Sequence, residues 1–439
     1  MKFGVCFLLS VFGALALACD APTNLNTLRL NIWQPTGAAY FDASALLTAR
    51  LQTNTGYQQQ FDGPAENFAV ELSDLQLADT AIQIDLALTN VGVDYVGASD
   101  WLPLNWPEDD TSVQQEPALV FMGPANEVAP ISTIYPHDGD IMACLDAENQ
   151  LVMGSSLGDW QELSTDIHFL DYAKKSIANG PSFTDTPTNG ACTIDIKNNL
   201  WVYGGCDETG NPAGALQKAP LNDEAVIQTL EQQPTRTSCN SDIWAGNALL
   251  WLSEGNKVEV RERDGTPRAE WSTDSPNPIL HFIHTQPDDQ EMWLVEKQNS
   301  SYGKLYLLSY ENGEITEERS FFEDEVVNCT ANHQSLMVCL TPKGLYSLDT
   351  QLEPQELIDE ETVFQGGFEP IIFNEARPNH WVFVNAAGDQ IRLIENERIK
   401  DISPERSRAQ SRLFRGPGGI LFWVGGNQKG IDLLATQEL

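Results

Sequence analysis

The sequence is poor in positive charge. Lysine and arginine together number 25 against 63 aspartates and glutamates, a formal charge of −38 over 439 residues. Proteins hold nucleic acid by neutralising phosphates with cations, so this balance excludes nucleic acid as a general partner. Histidine is scarce as well, with 6 in the chain. His281 and His284 stand closest together, but on a strand an offset of three turns two side chains to opposite faces, and no metal site is predicted there. No HExxH, GxSxG, P-loop or dinucleotide-type glycine motif is present, and no CxxC spacing. The common signatures of zinc hydrolysis, serine hydrolysis, nucleotide binding and thiol redox work are therefore missing, and no cofactor is predicted. After the N-terminus no apolar run approaches the roughly 20 residues of a membrane-spanning helix. The mature chain is thus expected to be soluble or lipid-tethered. What is present is a composition 41 % apolar and rich in aromatics, too apolar for a disordered chain.

The N-terminus has the build of an export signal. Met1-Lys2 is followed by an apolar stretch from Phe3 to Leu17, then by small residues leading into Cys19 (Ala16-Leu17-Ala18-Cys19). A short cationic start, a short apolar segment and a small-residue exit describe a secretory signal over residues 1–18. Two processing routes fit: ordinary signal-peptidase cleavage, and cleavage before a cysteine that is then lipidated. The second resembles the lipobox of bacterial lipoproteins, with Ala16 where that motif favours Leu. Cysteine parity favours it. Removal of the signal takes away Cys6 and leaves seven cysteines, an odd number in an oxidising compartment, whereas lipidation of Cys19 leaves six that can all pair. Residues 19–26 then form the lipidated cysteine and a polar tether. The resemblance implies a chain exported to the bacterial cell envelope, at the periplasmic face or the cell surface, and anchored in a membrane by its lipid.

Residues 27–125 alternate with a period of two. Leu28-x-Leu30-x-Ile32 and Ile82-x-Ile84-x-Leu86-x-Leu88 are the clearest runs, separated by turn residues such as Asn54-Thr55-Gly56 and Asp62-Gly63-Pro64. Short alternating strands broken by turns about every ten residues predict an antiparallel β-sandwich. The pattern is similar to immunoglobulin- or transthyretin-like modules. The acidic segment Pro107-Glu108-Asp109-Asp110 is expected to be a loop.

Residues 126–439 repeat. Apolar second strands, many with tryptophan, begin at Leu151, Leu200, Leu250, Met292, Leu336, His380 and Leu421, at intervals of 41 to 50 residues. Each is preceded by a strand with an anchor residue: Cys144, Cys192, Cys239, Phe282, Cys329, Phe373 and Phe414. Polar turns such as Asp146-Ala-Glu-Asn149 and Lys197-Asn-Asn199 separate anchor from second strand. A unit of this length fits one four-stranded blade, and such blades bury their faces only by stacking around an axis. The expectation is an all-β chain with a seven-bladed β-propeller behind the sandwich. Tyr203-Gly204-Gly205 and Val424-Gly425-Gly426 resemble the double glycine that ends the second strand of a kelch blade.

Six cysteines remain for disulfides. Cys329 and Cys339 fall on two strands of one hairpin and can face each other. Cys192 and Cys206 flank another hairpin, which leaves Cys144 with Cys239. Carboxylate runs such as Glu323-Asp324-Glu325 and Glu356-Leu-Ile-Asp359-Glu360-Glu361 read as solvated loops, and no catalytic residue is assigned. Cations gather once, at Arg392, Arg398, Lys400, Arg406, Arg408, Arg412 and Arg415. The two readings of this cluster are a patch for an anionic partner and a set of internal ion pairs. The functional expectation is a non-enzymatic module that binds a protein or a glycan. The alternatives are a propeller enzyme (hydrolase, lyase or oxidoreductase) with its site at the channel mouth, and an envelope scaffold.

Overall fold

The computed structural model describes residues 27–436, apart from 37–41, 43, 91, 107–116, 133–141, 146–150, 158–163, 172–175, 185–189, 208, 222–225, 231–236, 284–288, 299–300, 332–336, 349–350, 359–368, 373–379, 386, 396–397, 405–406, 409–410 and 426–430. Cys19 and the Pro107–Asp110 segment lie outside the described residues.

The first eight strands are β1 (Thr27–Trp33), β2 (Leu46–Thr53), β3 (Gln58–Pro64), β4 (Ala69–Glu71), β5 (Ala81–Asn90), β6 (Val93–Ala98), β7 (Leu102–Pro103) and β8 (Ala118–Pro124). They join in one sheet of order β3-β2-β5-β6-β8-β1-β4, with β7 on β5. The alternating residues form a single core: Leu28 and Leu30 of β1, Leu47 and Leu51 of β2, Ile82, Ile84 and Leu86 of β5, and Val120 and Met122 of β8. Two separate stacked sheets were the expectation. Instead β1 changes partner half-way: Thr27–Arg29 pair antiparallel with β4, and Leu30–Trp33 run parallel to β8. That one strand serves both sides, so hydrogen bonding runs along one open path from β3 to β4, and the strands join in a single sheet in place of two separate ones.

The remaining strands form four-stranded sheets. After β9 (Glu127–Ser132), blade one comprises β10 (Met142–Leu145), β11 (Leu151–Leu157), β12 (Ser164–Asp171) and β13 (Ser176–Thr184). Blade two comprises β14 (Ala191–Ile194), β15 (Asn199–Tyr203), β16 (Gln217–Pro220) and β17 (Gln228–Thr229). Blade three has β18 (Ser241–Ala245), β19 (Leu249–Glu254), β20 (Lys257–Glu262) and β21 (Pro267–Ser272). Blade four has β22 (Pro278–Ile283), β23 (Glu291–Gln298), β24 (Ser301–Glu311) and β25 (Glu314–Val326). Blade five runs through β26 (Asn328–Ala331), β27 (Met337–Thr341), β28 (Gly344–Leu348) and β29 (Pro354–Ile358). Blade six runs through β30 (Glu369–Ile372), β31 (His380–Val384), β32 (Ile391–Glu395) and β33 (Arg398–Ile402). A closing sheet has β34 (Ser411–Arg415), β35 (Leu421–Gly425) and β36 (Ile431–Ala435). Its fourth strand is β9, with Ala435 opposite Glu127 and Ile431 opposite Ser132.

Apolar cores between neighbouring sheets carry the arrangement round. Val152 and Phe183 of blade one pack on Leu200 and Val202 of blade two, and Tyr203 on Ile243 and Leu250 of blade three. Trp251 and Val260 meet Leu280 and Leu294 of blade four, and the pattern continues through Val338 with Trp381 to Val382 with Trp423. Phe422 and Leu433 of the closing sheet then pack on Leu151 and Met153 of blade one. The ring returns to its first blade. This is a β-propeller, held by the burial of faces that no single blade can cover.

Candidate functional site

Strands within each blade are antiparallel, so turns after the first and third strands lie at one end of the ring. Turns after the second strand, and connections to the next blade, lie at the other. The N-terminal sheet occupies the first end, at the closing sheet. The carboxylate of Asp100 accepts the Gly418 N–H at 2.8 Å, in the turn after β34. Gly418 has φ +67, and a Cβ there would strike the Ala98 carbonyl, so this contact demands glycine. Phe121 of β8 stacks on Trp33 at 5.0 Å and meets Phe422 edge-on at 5.2 Å.

At the opposite end two clefts lie one blade apart and share a design. β19 and β23 each carry tryptophan, two further residues and glutamate: Trp251-x-x-Glu254 and Trp293-x-x-Glu296. Each glutamate pairs in register with a lysine across the next strand, Glu254 with Lys257 and Glu296 with Lys304. Each carboxylate also grips the connection arriving from the preceding blade. Glu254 accepts the Thr237 N–H at 2.6 Å and its hydroxyl at 3.2 Å, and the Tyr203 hydroxyl at 3.4 Å. Glu296 is fully buried. It accepts the Ser275 hydroxyl, and the Tyr306 hydroxyl at 3.1 Å. A buried carboxylate is tolerated only when its lone pairs are met, and these donors meet them. Burial and the adjacent Glu296 charge push the Tyr306 phenol well above its ordinary range, so it stays a protonated donor.

The cleft at Glu254 is small, about 130 Å³, between Tyr203, Thr237, Glu254, Lys257 and Glu259. The one above Glu296 is about 420 Å³. It is lined by Trp271 and Ser272 of β21, Thr273 to Pro276 of the connection, Lys304 and Tyr306 of β24, and Glu317 of β25. Trp271 meets Tyr306 edge-on, with centroids 5.4 Å apart, so the cleft has an aromatic wall and a polar rim. Such a site offers a stacking surface, hydroxyl and ammonium donors, and carboxylate acceptors. In the repeat alignment the two glutamates alone stand out, at equivalent positions three residues past tryptophan; the rest of the lining carries no sequence signal.

The residues singled out in the sequence fall elsewhere. Cys329 is bonded to Cys339 within one hairpin, Cα atoms 4.1 Å apart. The other pairs differ from the expectation: Cys144 bonds Cys192, and Cys206 bonds Cys239, at Cα separations of 6.0 and 5.0 Å. Cys144 and Cys192 sit on the first strands of adjacent blades, which run side by side. Cys206 does not return to Cys192 because Gly204 and Gly205, at φ +65 and +110, turn the chain toward the next blade.

Among the described cationic residues, Arg392 and Arg408 are taken up in ion pairs. Arg408 is buried beside Asp432 at 2.9 Å and lies over the Trp423 ring. Arg392 clasps Asp401 with two hydrogen bonds, of 2.7 and 2.8 Å. Arg398 and Lys400 are exposed on the outer strand β33, and Arg415 is half-buried at the end of β34. Arg406 lies outside the described residues, as does the side chain of Arg412. His281 approaches Asp242 of the neighbouring first strand at 3.7 Å, while His284 lies outside the described residues. Among the described residues no group of three potential metal ligands occurs.

No family model matches the chain, and no curated protein matches it in sequence. In structure it is similar to virginiamycin B lyase from Staphylococcus aureus, with a TM-score of 0.50 and 15 % identity over 70 % of this chain and 98 % of that one. It is also similar to the Pan2 WD40 domain of Neurospora crassa, TM-score 0.48 and 9 % identity, covering 72 % of this chain and 97 % of that one. A putative 6-phosphogluconolactonase from Bacteroides fragilis has a TM-score of 0.38 and 11 % identity, with coverages of 83 % and 97 %. At these identities the likeness is one of fold.

Proposed function

We propose that the chain is an exported lipoprotein, anchored through Cys19 to a bacterial envelope membrane, whose seven-bladed, kelch-like propeller binds a protein or a glycan. One observation carries the binding reading. The N-terminal sheet is built against one end of the ring through Asp100, Phe121 and Gly418, while clefts open at the other end. A tethered protein with one end occupied presents the opposite end outward. Three disulfides support an oxidising compartment. Propellers serve both catalysis and binding, so the fold by itself does not choose between them. The rim chemistry favours recognition: hydroxyls, one lysine and an aromatic wall on a rigid frame.

The test is a pull-down from envelope extract together with a glycan array, using the whole chain as bait. A control bait has the connection 273–277 and the turn 255–256 replaced by Gly-Ser sequence. Enrichment that the control loses is the expected result. Equal recovery on both baits would overturn the reading.

A further inference from the structure

We propose that the cleft between blades three and four is a subsite for a neutral saccharide. This rests on the binding reading above and names the ligand class. The cleft's volume of about 420 Å³ lies within the range of roughly 300–1,000 Å³ typical of small-ligand sites. A sugar ring has an apolar C–H face and an edge of hydroxyls that both donate and accept. Trp271, half-buried on β21, supplies a surface for the first. The second meets Ser272 and Lys304 as donors, and Asp274, Glu317 and the Ser275 hydroxyl oxygen as acceptors.

Charge selects within the sugars. Asp274 and Glu317 line the cleft with a single Lys304, and the buried Glu296 is its cross-strand partner, on a chain of net charge −38. Uronic acids and sulfated glycans would meet this field unfavourably. The same field would attract a cationic peptide, so what sets the saccharide apart from it is the indole surface beside paired donors and acceptors rather than charge. The Tyr306 and Ser275 hydroxyls are held by Glu296, so the floor is set before a ligand arrives. The smaller cleft at Glu254 repeats carboxylate, tyrosine, hydroxyl and lysine but has no tryptophan, which makes it an internal control.

The experiment is isothermal titration of the detergent-solubilised full chain. The probes are maltose, cellobiose and N,N′-diacetylchitobiose, with digalacturonate and tetralysine for comparison. At least one neutral disaccharide is expected to bind. Trp271→Ala should weaken it by about ten-fold or more, Glu317→Gln should weaken it several-fold, and Lys257→Ala should leave it unchanged. Trp271 also packs on the core between the blades, so Ser272→Ala and Glu317→Gln, both on exposed residues, carry the test if Trp271→Ala does not fold. Binding of none of the neutral sugars, stronger binding of digalacturonate or tetralysine, or unaltered affinity in the cleft variants would overturn the assignment. A protein partner captured equally by wild type and by the Trp271→Ala/Glu317→Gln double variant would overturn the saccharide subsite and leave the binding module standing. Failure of the wild type in both the titration and the pull-down would overturn both.

Discussion

The indole nitrogen of Trp201 donates to the carboxylate of Asp195 at 2.9 Å, inside the hairpin that joins β14 to β15. The same buried carboxylate accepts the N–H groups of Lys197 and Asn199. It is also ion-paired with Arg263 of blade three. Arg263 lies over the Trp201 ring and donates to the carbonyls of Gly246 and Asn247. One aspartate thus closes its own hairpin and fastens it to the next blade. Removing it leaves a largely buried guanidinium and several N–H groups without their acceptor. Asp195→Ala should cost about 3–5 kcal/mol of stability, and Asp195→Asn less. Urea unfolding followed by tryptophan fluorescence measures this, and an unchanged midpoint in Asp195→Ala would refute the role.

The Cys144–Cys192 bond joins two blades across 48 residues of chain, so it restricts the unfolded chain more than the hairpin bond Cys329–Cys339 does. On the chain-entropy scale its loss in a Cys144→Ser/Cys192→Ser variant is expected to cost about 4 kcal/mol. Peptide mapping without reductant should recover the pairs 144–192, 206–239 and 329–339. A fragment joining Cys192 to Cys206 would contradict the structure directly.

Acid should weaken blade six through Asp401. Hydrogen bonds from Arg392 hold its carboxyl below the ordinary carboxylate range. Because the folded value is depressed, the stabilisation is fully present above the unfolded-state value of about 3.9 and is lost as pH falls through the folded one. Both side chains are partly exposed, so the effect is on the order of 1 kcal/mol or less. Thermal melts of wild type and Arg392→Ala should differ at about pH 6 and converge toward about pH 2. A constant difference across that span would count against the pair.

Anchoring through Cys19 predicts that the wild-type chain fractionates with membranes and that Cys19→Ser is released to the soluble fraction. A Cys19→Ser protein that stays membrane-bound would disprove the lipid anchor.

Much of the fold was legible because its signals are local. The period-two runs at Leu28–Ile32 and Ile82–Leu88 form β1 and β5, and the seven apolar second strands coincide with the second strands of their sheets. The Lys197-Asn-Asn199 turn is formed as expected, with Asn198 at φ +54, a conformation asparagine tolerates. The larger cleft was not legible, because Trp271, Ser275, Glu296 and Tyr306 come from two blades and only stacking brings them together. The pairing within the cationic cluster was hidden for a related reason. Nearness along the chain says nothing about Asp401 and Asp432, which take up Arg392 and Arg408.

The sequence by itself determined that the chain is built of short antiparallel strands in repeating units, since alternation and turn chemistry act over a few residues. Tertiary structure decided which units touch. It brought β9 to β36, with Glu127 opposite Ala435 and Ser132 opposite Ile431, and so closed the ring. It paired Cys144 with a neighbouring blade, and it set the Tyr306 hydroxyl on Glu296. These contacts exist because a blade can bury its faces only against another blade, and that requirement is invisible in any one repeat.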